Sequence, residues 1–207
     1  MVILMSNKLK DIYNFYVERY KKRFLYCSGL YYGLVIVGII IGLFYPPVST
    51  GTASTISNQF STALPGLMHA ISTGDIIRII ATIFAVNSIG GSFFALTLLN
   101  TIGLGTIIFI YRPLVWGLVY APTSPHATTL LIFVIPTLIL EGLAYIIAFT
   151  ASIDLILAII KPKSLGEESR FKAWKKAWIY NFKSYVLVLI VLFAAAVVET
   201  LTLVSLV

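Results

Sequence analysis

Charge is what this chain has least of. Only 11% of its 207 residues are Asp, Glu, Lys or Arg, while 59% are hydrophobic. An average soluble domain carries about 25% charged residues. So small a charged share excludes a water-soluble fold of this length, because much of any small fold must face water. Cysteine is nearly missing too. Cys27 stands alone, which excludes an internal disulfide and a cysteine-based metal cluster. Histidine occurs twice, as His69 and His126, in or beside segments read below as external, and the two are not spaced as metal ligands. There is no H-E-x-x-H, no G-x-S-x-G, no Walker loop and no carboxylate–histidine spacing of a di-metal bundle. No catalytic residue, metal site or cofactor is therefore assigned, and a non-enzymatic protein is expected.

What is present is long apolar sequence. A spanning helix needs roughly 20 apolar residues, so the length allows about five spans and little else. The expected fold is all-α: a polytopic helical membrane protein with about five transmembrane helices plus interfacial amphipathic helices. The first span is read at residues 29–45, ending at Pro46-Pro47, which cannot continue a helix. The apolar stretch 76–121 is twice one crossing, so it must reverse near Asn100–Gly103, giving spans at 76–98 and 103–121. A fourth lies at 130–158, inside a stretch of 35 residues that is either strongly tilted or divided near Pro136. The fifth is 184–207. The membrane domain proper is thus 29–160.

The basic residues orient these spans. Residues 1–28 hold six Lys or Arg, and residues 161–183 hold seven more, so thirteen of fifteen fall on one side of a five-span chain. That is the positive-inside pattern. It predicts a multi-pass protein of the cell membrane with a cytoplasmic N-terminus and an external C-terminus. Six basic residues among the first 25 are too many for a cleavable signal peptide, so the first span is expected to act as an uncleaved anchor. Residues 46–75 contain no Lys or Arg and ten Ser or Thr, as an external loop would. Within that loop Ile56, Phe60, Leu64, Leu67, Met68 and Ile71 share a helical face broken by Pro65, predicting two short pieces resting on the outer surface or docking a partner.

Both basic segments are amphipathic. Residues 1–28 form a cytoplasmic arm in which Leu9, Ile12, Tyr13, Tyr16, Val17 and Tyr20 recur at helical spacing. Residues 161–183 form a second basic helix, with Ser164 and Glu167 at capping-box spacing. Its Phe171, Trp174, Lys175, Lys176 and Trp178 are read as interfacial anchors, aromatic rings at the headgroup boundary and cations toward anionic lipid. The partner implied is the bilayer. Nucleic acid is not, because adjoining spans already account for the charge.

Polar groups inside the spans are the only chemistry on offer: Asn87, Asn100, Arg112, Glu141, Asp154 and Glu199, with Arg78 near the start of span two. A charge at the bilayer centre costs roughly 2.5–3.5 kcal/mol on insertion scales, so such groups pair or line a polar cavity. Arg112 and Glu141 fall at similar depth on consecutive antiparallel spans, and an ion pair between them is expected. Asp154 is placed near the cytoplasmic end and Glu199 at the outer rim. Gly38 and Gly42, four apart, and Gly90-Gly91-Ser92 are small residues of the kind that let helices approach closely in lipid.

The order of these features resembles a known family. Ala85-Val86-Asn87, then Gly103-Leu104-Gly105-Thr106, then Arg112-Pro113 ending in Gly117, then Pro136 to Glu141 and Ala144, is similar to the stage II sporulation protein M family. Its members resemble five- or six-span proteins with an asparagine in the second span and a G-x-G opening the next. Asn87, Gly103, Gly105, Gly117, Pro136, Glu141 and Ala144 keep the matching places. Arg112-Pro113 stands where Asn-Gly is usual, and Thr137-Leu138 where His-Gly is usual, as in a divergent, archaeal-type member. The resemblance implies a non-enzymatic scaffold that anchors cell-envelope machinery, with a polar centre at Asn87 and Glu141. Two functions are therefore expected candidates. One is a scaffold or accessory subunit acting through other membrane subunits or a homo-oligomer. The other is a small permease or transporter subunit with a polar path at Asn87, Arg112 and Glu141.

Overall fold

Helix is the only regular structure among the described residues, which in the computed structural model are 2–205. Lipid imposes this, since a backbone group in hydrocarbon must find its hydrogen-bond partner within the protein. The order is α1 (Val2–Phe44), α2 (Pro46–Ala63), α3 (Pro65–Thr73), α4 (Ile76–Ala85), α5 (Leu104–Val119), α6 (Pro125–Ile160) and α7 (Arg170–Ser205). Past α4 the same rod continues as a wide π-helix, Val86–Leu98, and ends in a 3₁₀ turn, Leu99–Ile102. Four stretches are long and apolar enough to cross a membrane: Asn7–Phe44, Ile76–Ile102, Ala127–Ile160 and Arg170–Ser205. The apolar α5 is shorter, at 16 residues. The chain is an all-α polytopic membrane protein.

Two segments expected as separate interfacial helices are instead the first turns of long helices. Nothing between residues 7 and 44 breaks α1, so the basic arm and the first span form one rod. Tyr16, Tyr20, Cys27 and Tyr31 lie along one face of it and are buried in the main core with residues of α6 and α7. The arm therefore packs on protein along this stripe, while Tyr13 on its other side is exposed. Likewise α7 runs unbroken from Arg170 through the last span. Ser164 and Glu167 do not cap it. A 3₁₀ turn, Pro162–Leu165, and Gly166 at φ +74° intervene, Ser164 donates to the Lys161 carbonyl, and Glu167 pairs with Lys176 at 3.0 Å. The 35-residue apolar stretch is one continuous helix through Pro136, 36 residues and about 54 Å long at 1.5 Å per residue.

Two contacts hold the rods together. The first is the crossing of α1 on α5, where Gly38 and Gly117 meet backbone to backbone. A Cβ on Gly38 would strike the Leu114 carbonyl and lie 2.9 Å from the Gly117 Cα, and one on Gly117 would strike the Val35 carbonyl. The glycines four apart on α1 thus serve an internal contact. The second is Asp154, fully buried on α6. Its Oδ2 accepts from Arg19 Nη2 at 2.7 Å, Arg19 Nε at 3.0 Å and Tyr20 Oη at 2.9 Å, and its Oδ1 accepts from Arg23 Nη1 at 2.6 Å. Arg19 also stacks on Tyr180 of α7, 4.1 Å from the ring centroid. One carboxylate thereby joins three helices, near the end where the basic residues gather.

The turn between the second and third spans centres on Asn100, which is buried. Its Nδ2 donates to Ser152 Oγ at 2.7 Å and its Oδ1 accepts from Thr106 Oγ1 at 3.0 Å. Gly103 follows at φ +85°, a conformation that favours glycine, and starts α5 back across the bundle.

Two substitutions and a control measure these contacts. Gly117→Val should cost about 1–3 kcal/mol or abolish folding, because backbone rather than a flexible side chain stands in the way. Gly29→Ala, where a Cβ meets nothing within 4 Å, should leave detergent-solubilised melting unchanged or slightly raised. Asp154→Asn should cost about 2–3 kcal/mol and loosen the first 28 residues, read as faster hydrogen exchange there. An unchanged exchange profile would show that Arg19 and Arg23 are held by something else.

Candidate functional site

Asn87, Arg112 and Glu141, from the second, third and fourth spans, converge with Glu199 on one cavity of about 340 Å³. Each arrives by a local feature of its helix. Asn87 stands at the second residue of the π-helix, whose i→i+5 bonding resets the direction of successive side chains. Arg112 lies next to Pro113 in α5. Glu141 lies five residues after Pro136 in α6, and Glu199 comes from the last turns of α7.

Asn87 Nδ2 donates to Glu141 Oε1 in a short contact. Arg112 Nη2 donates to Tyr145 Oη at 2.7 Å, and its guanidinium lies over the Tyr145 ring, 4.0 Å from the centroid. Gly91 makes room for this. A Cβ there would lie 2.9 Å from Arg112 Nη1 and 3.2 Å from Tyr145 Oη. Arg112 and Glu141 do not form the expected ion pair; the salt bridges found among the described residues are Arg19–Asp154, Arg23–Asp154 and Lys176–Glu167. Asn87 and Tyr145 supply the hydrogen bonds that a direct pair would have made, so the two charges face a shared cavity instead. Glu199 lines the same cavity as Glu141. It belongs to the polar centre rather than to an outer rim.

The segment read as an external loop covers this centre. Ile56 and Phe60 of α2, and Leu67, Met68 and Ile71 of α3, turn their shared apolar face onto the cavity, with Leu64 at the kink between the helices. Ser49 pins α2 to α5 by donating to the Leu118 carbonyl at 2.8 Å. Phe60 meets Trp116 at 6.5 Å between centroids, and Trp116 stacks on Tyr120 at 5.6 Å. Toward the basic end, Phe109 stacks on Phe149 at 3.9 Å with Tyr31 against it at 5.3 Å. None of the residues that surround Asp154 lines the cavity.

Sequence reasoning missed Tyr145 and gave Thr137 no part in the polar centre. Tyr145 was within reach, since it stands four residues after Glu141 on the same helix face. Thr137 was marked only as standing where His is usual in the family. The expected anchors lie elsewhere, around the start of α7. Phe171 is exposed with Lys175 over its ring at 4.7 Å, Trp174 packs edge-on against Trp178, and Lys176 is paired with Glu167. Among the described residues no group of three His, Cys, Asp or Glu is placed to hold a metal ion.

These features define a polytopic helical membrane protein with a charged, cavity-lining centre between its spans. The chain belongs to the stage II sporulation protein M family, whose pattern matches residues 31–202. The match takes in Asn87, Arg112, Glu141 and Glu199 and begins after the arginines that hold Asp154. No curated protein and no solved structure gives a match.

Gly91→Ala tests the geometry of the centre. It should displace Arg112 from Tyr145 and cost about 1–3 kcal/mol in unfolding, whereas Gly90→Ala, whose Cβ meets nothing within 4 Å, should not. Equal melting of the two variants would contradict the packing described.

Proposed function

We propose that the chain is a non-enzymatic membrane subunit of a cell-envelope complex and that its working part is the cavity between α2–α3 and the spans. The observation that carries this reading is the cavity itself. Arg112, Glu141 and Glu199 line an open space, and Arg112 forms a salt bridge with neither carboxyl. Charges kept only to glue helices together would be expected to pair directly, since each unpaired one is costly in lipid. A volume of about 340 Å³ with a few polar groups among apolar walls is typical of small-molecule sites. The positive-inside rule puts the basic ends of α1 and α7 in the cytoplasm, and the cavity then faces outward.

Tyr31, Phe109 and Phe149 pack together as a buried cluster on the basic side of Arg112 and Glu141, and none of them lines the cavity. That favours holding a ligand or partner segment over conducting it, as a subunit assembled with other membrane proteins would. A permease reading of the same cavity draws on the backbone. The π-helix and Pro113 flank the polar centre, and irregular backbone at membrane depth is tolerated where it lines a cavity.

Accessibility decides between these. In a Cys27→Ser background, Leu138→Cys on the cavity wall should react with a membrane-impermeant thiol reagent from the α2–α3 side of oriented vesicles. Ala158→Cys, buried at the basic end, should not react. Labelling of Leu138→Cys from both sides would support the permease reading, and labelling from neither would remove the cavity as the working part.

A further inference from the structure

Three ionisable side chains that carry formal charge border the cavity: one guanidinium, Arg112, and two carboxyls, Glu141 and Glu199. Their partners are unequal. Arg112 is spent on Tyr145, by hydrogen bond and by stacking. Glu141 has the Asn87 amide. Glu199 Oε2 has no hydrogen-bond partner, although the atom is enclosed. Thr137 Oγ1, on a residue 5% exposed, is equally without one and lines the same space. Arg112 Nε is also unpartnered, but its guanidinium is already held flat on the Tyr145 ring. With both carboxyls ionised the site carries one surplus negative charge and two idle oxygens. A buried charge without a counter-ion is costly, so something cationic belongs there.

The walls narrow the choice. Phe60, Leu64, Leu67 and Trp116 surround the space above the carboxyls with apolar and aromatic surface. A bare metal ion would use none of it and would find two carboxyls where oxygen-ligated cations take six or more ligands. An organic cation uses both parts, since ammonium groups are drawn to carboxylates and to the faces of Trp, Tyr and Phe. We propose that the cavity binds a monocationic amphiphile, its ammonium head on Glu199, Glu141 and Thr137 and its alkyl or aryl body against the walls beneath α2 and α3. This inference rests on the cavity being the working part of the protein. A proton shared by the two carboxyls would satisfy the same charge, so binding is best measured at pH 9, where fewer protons compete.

The experiment is calorimetric titration of the full chain in phosphatidylcholine nanodiscs with n-octylammonium, n-octanol and n-octanoate, with the heats of empty nanodiscs subtracted. The expected result is one saturable site for n-octylammonium, at least tenfold tighter than for the other two. Glu199→Gln should weaken it tenfold or more, with Trp174→Phe unchanged. Thr137→Val should weaken it about threefold and serves if Glu199→Gln does not fold. Octanoate or octanol binding as tightly as octylammonium, or affinity unchanged in both variants, overturns the cationic head while leaving the cavity reading intact. No saturable binding of any of the three overturns both.

Discussion

Asp154 has no exposed surface, yet its carboxylate draws two guanidiniums and a phenol from α1 into a bundle of apolar rods. A lone carboxylate could not sit there; the cost of burying it is met by four hydrogen bonds, three of them from cations. The rest of the basic end follows from that contact. It lays the first half of α1 against α6, brings Arg19 over Tyr180, and so sets α7 against both. Farther along, α1 leaves α6 and crosses α5 at the Gly38–Gly117 contact, where only backbone separates the two helices. Clamped at both places, α1 is a strut along the bundle.

The cavity lies at the end away from Asp154, beside that glycine crossing, with Trp116 and Val119 of α5 in its wall. There Glu141 and Arg112 are served by neutral side chains rather than by each other. Asn87 serves Glu141 and Tyr145 serves Arg112. The same chemistry thus has two outcomes in one molecule. At Asp154 opposite charges meet directly and lock helices. At the cavity they are held apart, and Glu199 Oε2 and Thr137 Oγ1 are left with unused hydrogen-bonding capacity.

The family resemblance pointed to Asn87 and Glu141 as a polar centre, and both line the cavity with Arg112, in the place where Asn-Gly is usual. The cation brought no direct ion pair with Glu141. Its reach is taken by Tyr145, a residue of the same helix as Glu141, while Gly91 of the π-helix provides the space. The α2–α3 segment, expected to rest on the surface or to dock a partner, turns its apolar stripe inward as a cover. Amphipathic spacing identified the stripe but could not say which surface it met.

Sequence alone determined the material of the fold: helical, membrane-spanning, with one end basic, a reversal at Asn100–Gly103, and a handful of polar groups too costly to leave in lipid. These are properties of composition, spacing and the local chemistry of Gly and Pro. Tertiary structure decided the partners. Arg19 and Asp154 are 135 positions apart, and Asn87 and Glu141 are 54 apart. Periodicity carries no information across such distances, because pairing depends on which rods lie side by side and at what rotation. Two rods also ran on where composition suggested a boundary, since a shift from basic to apolar sequence changes what a helix faces and not whether it is a helix. Whether buried charges would close on each other or border a cavity was likewise settled only by packing, where the α2–α3 cover meets the end of the bundle that holds the glycine crossing.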